Sequence, residues 1–457
     1  MYARLLFICI VAIAASKAAS GQSPRNVSLK LIPEAASETD NLRLLPADPE
    51  LKNGNAAVVM LRMIWEQQHY MQQFMPQISE LIDLPYDDPK IIEFPFGHFE
   101  SQLRRAAYMR DADWYYPINE VPMAMILLPD VQGLRQFVGR GMSLWVGQQI
   151  AKKDLESARH GILIQLACSR HIARTPLIIN QLAASANADM ALDKVELLVQ
   201  QPKSANLYWA LAKLPDSLGD HPALLQQNSR LIAGSLPSLS PQFPPPGDAD
   251  WKQVAVEFSQ VMALQMPKPM PPVEAAALQM RLQEIAKQDL TETARFSDEE
   301  LTKMSGEEIV MRWMLALTDR INIEIENAYS LAPPLALKKL ITLQESIAEL
   351  LRNIQAPTAP PFLEKPADIY LSFHKFDRRV KLLQTLESIR DHAKTHEGHL
   401  PEALSALELP APNDPLTVQP FEYGIKDGKA TLRMATIEGI ALEAQRPTVY
   451  EIRIAEQ

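Results

Sequence analysis

Glycine is scarce, 16 of 457 residues, against an ordinary share of about 7%. Tight turns need backbone at positive φ, which glycine adopts most readily, so the shortage argues against a turn-rich β-sandwich or propeller. Cysteine is scarcer still, only Cys9 and Cys168. Cys9 lies in an N-terminal apolar run, so an exported chain keeps one thiol and forms no intramolecular disulfide. Its stability must come from a packed core. Long apolar runs are missing too: the longest, residues 5–15, falls well short of the ~20 residues of a spanning helix. With 47% hydrophobic and 22% charged residues, the chain is too apolar for disorder and too polar for a bundle of membrane spans. At ~150 residues per domain, two or three folded units are expected.

Proline is abundant, 36 residues, and helices punctuated by proline are the natural reading. At the N-terminus Arg4 precedes the apolar run, and small residues follow through Ser20, with Ser16 and Ala18 spaced for a signal peptidase. This pattern predicts a cleaved secretory signal over 1–20 and a periplasmic or extracellular address, with no transmembrane segment left after cleavage. Ile8, not a small residue, precedes Cys9, which argues against a lipid anchor. The net charge of −10 becomes −12 when Arg4 and Lys17 leave with the signal. Such a surface repels nucleic acid and anionic lipid.

The pattern predicts a first strong helix over 53–75, with Asn55 as N-cap and Val58, Leu61, Ile64 and Trp65 as its apolar stripe. Pro76 should permit one more turn at best. Further helices are expected at 98–110, 130–151, 154–173, 176–186, 189–200, 205–213 and 221–234, with Asp130 and Asp154 as caps. No fixed repeat period emerges, so a regular tetratricopeptide array is not supported. Together 21–235 read as an N-terminal helical domain. Residues 236–272 read as a proline-rich connector holding one helix (248–265), and 273–355 as a second helical unit with helices at 273–290, 306–329 and 334–353. Region 366–457 changes character. A helix over 367–396 stops at Gly398, two strands flank Asp427-Gly428, and Thr448 to Ile454 alternate as a third strand.

Two resemblances add to this. The helix LLQTLESIRDHAKTHEG, His399-Leu400-Pro401, Asp414-Pro415-Leu416-Thr417, Pro420-Phe421-Glu422-Tyr423 and the hairpin make 382–434 resemble the globular part of type II secretion pseudopilins and pilin-like proteins. The resemblance implies a helix lying across an antiparallel sheet, with the Asp-Pro turn feeding its first strand. It implies a fold module, not a pilus subunit, because the prepilin assembly helix and the acidic calcium loop have no counterpart. Asn41-Leu42-Arg43-Leu44-Leu45-Pro46, Asn53-Gly54-Asn55-Ala56-Ala57 and Asn206-Leu207-Tyr208-Trp209-Ala210-Leu211-Ala212 are similar to exported helical proteins common in planctomycete bacteria. That similarity carries no activity with it.

Candidate chemistry is thin. His392, His396 and His399 with Glu397 form the one cluster with metal-ligand spacing, yet the zincin pattern His-Glu-x-x-His is one residue short and holds a glycine. Histidines complementing a helix C-terminus are the plainer reading. Between Tyr86 and Tyr116 lie Phe94, Phe96, Phe99, Tyr108, Trp114 and Tyr115, interleaved with Asp87, Asp88, Glu93, Glu100, Asp111 and Asp113. These rings either seal the edge of a helical core, the commoner role, or form an aromatic and acidic surface for a peptide or glycan. Phe96, Phe99, Asp111, Asp113, Trp114, Tyr115 and Tyr116 would be its binding residues. Cys168 in ILIQLACSR reads as a buried inert thiol. Gly133, Gly139, Gly141 and Gly147 match no phosphate loop and suggest close helix packing or a broken helix. Ser372 and Lys375 have serine–lysine spacing without the companion motifs, and Ser372 reads as a helix-entry residue.

The expectation is therefore a mainly α protein: an irregular antiparallel, solenoid-like helical array, then a small pilin-like α+β domain with an antiparallel sheet. It would serve as an exported scaffold or protein-binding component of the cell envelope, without cofactor. The alternative is a ligand-binding protein or hydrolase with a cleft near 86–120.

Overall fold

The computed structural model describes residues 24–39, 41–115, 128–175, 177–219, 238, 250–263, 272–293, 296–354 and 365–455. The expected signal at 1–20, the helix at 221–234, and most of the proline-rich segments 236–247, 267–272 and 356–361 lie outside these residues.

Strand β1 (Arg25–Leu31) opens the described chain, and β2 (Lys52–Asn55) leads into α1 (Ala56–Glu66). Asn55 caps α1 as expected, its side chain accepting from the Ala57 N–H at 3.0 Å. The helix expected over 53–75 is broken at Gln67, and a second helix, α2 (Gln68–Leu81), runs on through Pro76 for five residues. Ile78 and Leu81 are buried against Ile91, Phe94 and Leu144, and this packing outweighs the proline's missing hydrogen bond. Next come α3 (Phe99–Ala107) and β3 (Met109–Asp111), the latter a short parallel partner of β2 that the periodicity did not foresee. Asp130 falls inside a helix, Leu128–Leu134, instead of capping one. A π-helical turn, Arg135–Gly141, and α4 (Met142–Ala151) complete that segment.

Helix α5 (Leu155–Ala173) starts at Asp154, whose carboxylate accepts from the Ser157 N–H at 3.0 Å. The two helices expected at 176–186 and 189–200 are one, α6 (Ile178–Leu198). Asn187 does not punctuate it because its amide is buried over Gly139, where an added Cβ would stand 2.4 Å from the Asn187 Oδ1. Gln165 of α5 ties the same place, donating to the carbonyls of Gly139 and Asn187 at 3.0 and 3.1 Å. Helices α7 (Trp251–Ala263), α8 (Pro272–Glu292), α9 (Gly306–Tyr329) and α10 (Pro333–Ile354) follow. Helix α11 (Pro366–Thr395) then precedes β4 (Glu422–Lys426), β5 (Lys429–Arg433) and β6 (Thr448–Ile454).

The hairpin turns at Asp427 and Gly428, at φ +52° and +74°, as a type I′ turn requires. The expected antiparallel sheet is in fact mixed, with order β1-β6-β5-β4. Strands β4, β5 and β6 are antiparallel, whereas β1 adds to the far edge parallel to β6, Val27 opposite Tyr450. A strand 417 residues upstream was invisible to a local reading because its partner edge exists only after folding.

Among the described residues the chain divides into two compact units, the larger within 21–115, 129–220 and 371–457, the smaller within 221–370. This division differs from one drawn at the proline-rich segments: the C-terminal helix and sheet fold with the N-terminal helices. In the smaller unit Trp251, Val254, Met311 and Leu315 pack in one cluster, and Ala286, Leu290, Leu301, Ile309 and Trp313 in another. Asp289 accepts from the Trp313 indole at 2.8 Å and from Arg320 at 2.6 Å, tying α8 to α9. Among the described residues no helix is long and apolar enough to cross a membrane.

Candidate functional site

Helix α11 carries charge on every side, yet most of it is buried. A helix without one apolar stripe must find a partner for each charge it buries. Lys375 and Arg379 face α6, which offers Asp189, Asp193 and Glu196 at spacings of four and three, one helical face. Lys375 Nζ lies 2.5 Å from Asp189. Arg379, 1% exposed, donates to the carbonyl and carboxylate of Asp189, to Asp193 at 2.9 Å and to Glu196 at 2.6 Å. From β1, Arg25 reaches Asp193 and Glu196 at 2.8 and 2.7 Å, and from β6 the Tyr450 hydroxyl donates to Glu196 at 2.6 Å. Burial favours the neutral acids, but Arg379 and Lys375 hold Asp189 far below the carboxylate range, and Arg379 and Arg25 lower Glu196. Three carboxylates, three cations and one phenol thus join α6, α11, β1 and β6.

Two more buried pairs extend the seam. Arg390 pairs with Glu387 at 2.7 Å and donates to the carbonyls of Ile32 and Ser204, while Glu387 accepts from the Leu207 N–H at 3.0 Å. Arg378 forks onto Asp414 at 2.7–3.1 Å, and Asp414 accepts from the Leu416 N–H at 2.9 Å. The Asp-Pro turn noted in the sequence is therefore fixed by a helix arginine. Asp377, beside Arg378, is pushed up to about 7 by burial, aided by Asp216 and Asp414 and opposed by Lys381.

Beside this seam lies a small pocket of about 30 Å³. One face of α11 lines it with Leu371, Ser372, Lys375, Arg378 and Arg379, and Met434, Gln445, Arg446 and Thr448 form the opposite wall. Ser372 lies within α11 rather than at a helix entry.

The residues singled out from sequence fall elsewhere. Phe94, Phe99 and Trp114 are buried, and Tyr70, Phe74, Phe94, Phe96, Phe99 and Phe137 form a run of ring contacts 4.7–6.2 Å apart. The Trp114 indole donates to the His171 carbonyl at 3.0 Å. Tyr115 points outward at 78% exposure and φ +47°, and Asp111 and Asp113 are exposed. Tyr116 lies outside the described residues. His392 and His396 stack at 3.9 Å, and the Nδ1 atoms of His396 and His399 meet the carbonyls of His392 and His396 at 3.0 and 2.8 Å. These nitrogens attend to the helix end, and among the described residues no three His, Cys, Asp or Glu groups converge as metal ligands would. Cys168 is buried, which pushes its thiol pKa up.

Sequence reasoning missed Arg25, Asp189, Asp193, Glu196, Arg378, Arg379, Asp414 and Tyr450. The available signals were acids at 189, 193 and 196, spaced to share one helical face, and a 30-residue helix with no apolar stripe.

These features define a mainly helical protein with a small mixed four-stranded sheet near the C-terminus. No protein-family model, curated protein or solved structure matches the chain.

Proposed function

We propose that the protein is an exported, non-catalytic scaffold that holds a protein partner in the cell envelope. The observation that carries this reading is the outer face of α1. Trp65 is 78% exposed and Val58, two turns earlier on the same face, is 56% exposed. Between and beside them Arg62 and Glu66 pair at 2.5 Å. Tryptophan flanked by charged residues is the composition of an interface anchor with a polar rim, and the sequence holds no complete catalytic motif. Export is supported by Arg4 and the apolar run 5–15. The long helix and the Asp427-Gly428 hairpin support reading 382–434 as a pilin-like module, and the 41–57 and 206–212 segments support kinship with exported planctomycete proteins.

Affinity capture from native envelope tests this. Wild type should retain a reproducible partner that Trp65→Ala loses while its melting temperature stays unchanged. An identical partner set for both, or none for either, contradicts it.

A further inference from the structure

Strand β4 lies at the edge of the sheet, with β5 as its one strand neighbour among the described residues. The two-residue turn at Asp427 and Gly428 makes Lys426 and Lys429 a hydrogen-bonded pair, and antiparallel pairing alternates such pairs with pairs whose backbone groups point away. Glu422, Gly424 and Lys426 therefore spend their N–H and C=O groups on β5, while those of Tyr423 and Ile425 face outward along the edge. Glu422, Gly424, Ile425 and Lys426 are exposed, Ile425 at 43%, and an added Cβ at Gly424 would meet nothing within 4 Å. An open edge of this kind is a template for another strand.

The strand reads Glu-Tyr-Gly-Ile-Lys, with an acid and a base set symmetrically about Gly424. When two copies run antiparallel with Gly424 opposite Gly424, Tyr423 and Ile425 exchange four backbone hydrogen bonds across the axis. Glu422 of each copy then stands opposite Lys426 of the other, on the same face and at the closer of the two cross-strand spacings. The exposed Ile425 side chain meets Tyr423 of the other copy, an aromatic and β-branched pair. Both charges are available for this. Glu422 accepts from Arg433 Nε and Nη2 through Oε2, so Oε1 takes part in neither bond. Lys426 faces a second cation, Lys429, and forms no ion pair among the described residues. The neighbouring two-fold registers lose both pairs: centring on Tyr423 sets Lys426 opposite Pro420, and centring on Ile425 sets it opposite Gly424. We infer that β4 pairs antiparallel with β4 of a second copy of this chain, centred on Gly424, and joins two sheets into one of eight strands. Two five-residue strands cover less than the ~1,200 Å² of a standard interface, so this dimer is a weak one that forms at micromolar concentration.

Sedimentation equilibrium of the full chain from about 1 to 300 µM tests this. Wild type should show a reversible monomer–dimer equilibrium. Lys426→Glu and Glu422→Lys set like charges opposite each other twice per dimer, so each should weaken it at least about tenfold. An equimolar mixture of the two variants should restore association as a heterodimer, because each Glu then faces a Lys. A wild type that stays monomeric, undiminished self-association in either variant, or no rescue on mixing the folded variants overturns the pairing. Amide exchange of the wild type gives a reading independent of any variant. Protection of the Tyr423 and Ile425 amides should rise with protein concentration, while that of Gly424, already bonded to β5, should not change. Exchange that ignores concentration overturns the inference. Slow exchange of Tyr423 and Ile425 in the monomer also overturns it, and assigns the edge to another segment of the same chain.

Discussion

Replacing Arg379 by methionine removes the one cation that all three acids of α6 share. The side chain is 1% exposed and its partners Asp189 and Glu196 are 19% and 4% exposed, so the variant leaves carboxylates in a largely dry setting with less positive charge. Breaking a buried pair from one side costs about 3–5 kcal/mol. Lys375 still faces Asp189, and Arg25 and Tyr450 still face Glu196, which places the expected loss near the lower end, about 3 kcal/mol. The sign of its pH dependence follows from the lowered acids. Asp189 and Glu196 release protons more readily when folded, so their pairing stabilises above the unfolded carboxylate range and is lost as pH falls through the folded values. The gap between wild type and Arg379→Met should therefore be widest near pH 7 and narrow below about pH 4. Urea denaturation followed by hydrogen exchange of 178–198, repeated across pH, measures it. A gap under about 1 kcal/mol at pH 7, the worth of a surface pair, or a gap that does not change with pH, refutes the reasoning.

Two further outcomes are expected. Asp377, raised to about 7 by burial, holds its proton more tightly when folded. Its contribution is best below the unfolded value near 4 and declines as pH rises toward 7. Asp377→Asn should thus stabilise at pH 8 by at most about 4 kcal/mol and give no gain at pH 3.5, as read by paired melting curves. Trp114→Ala should cost about 3–5 kcal/mol because the ring is buried and hydrogen-bonded to the His171 carbonyl, whereas Tyr115→Ala should stay within about 0.5 kcal/mol. Denaturant titration of the pair separates core from surface in the aromatic stretch.

The parts of the fold legible in sequence were those set by local rules. Asn55 and Asp154 cap helices, Asp427-Gly428 turns the hairpin, Gly398 at φ +84° follows the end of α11, and β6 coincides with the alternation read from Thr448 to Ile454. The misreadings share one cause, distant packing that overrides a local signal. Pro76 is carried inside a helix because Ile78 and Leu81 are buried, and Asn187 sits mid-helix because Gly139 leaves room for its amide. The sheet became mixed because β1 pairs with β6 from the opposite end of the chain. The charge seam was hidden for the same reason. Acids at 189–196 and arginines at 378–390 look like ordinary solvated faces until both helices are placed against one another, and nothing in their spacing names the partner.

The central claim is that β1, α6, α11 and β6 belong to one folded body closed by buried charge. Hydrogen exchange of the wild-type chain in increasing urea tests it most directly. Segments 25–31, 178–198, 371–395 and 448–454 should open together, with one free energy and one denaturant dependence. If 422–454 instead exchanges at a lower free energy than 178–198, the sheet is a separate module and the claim fails.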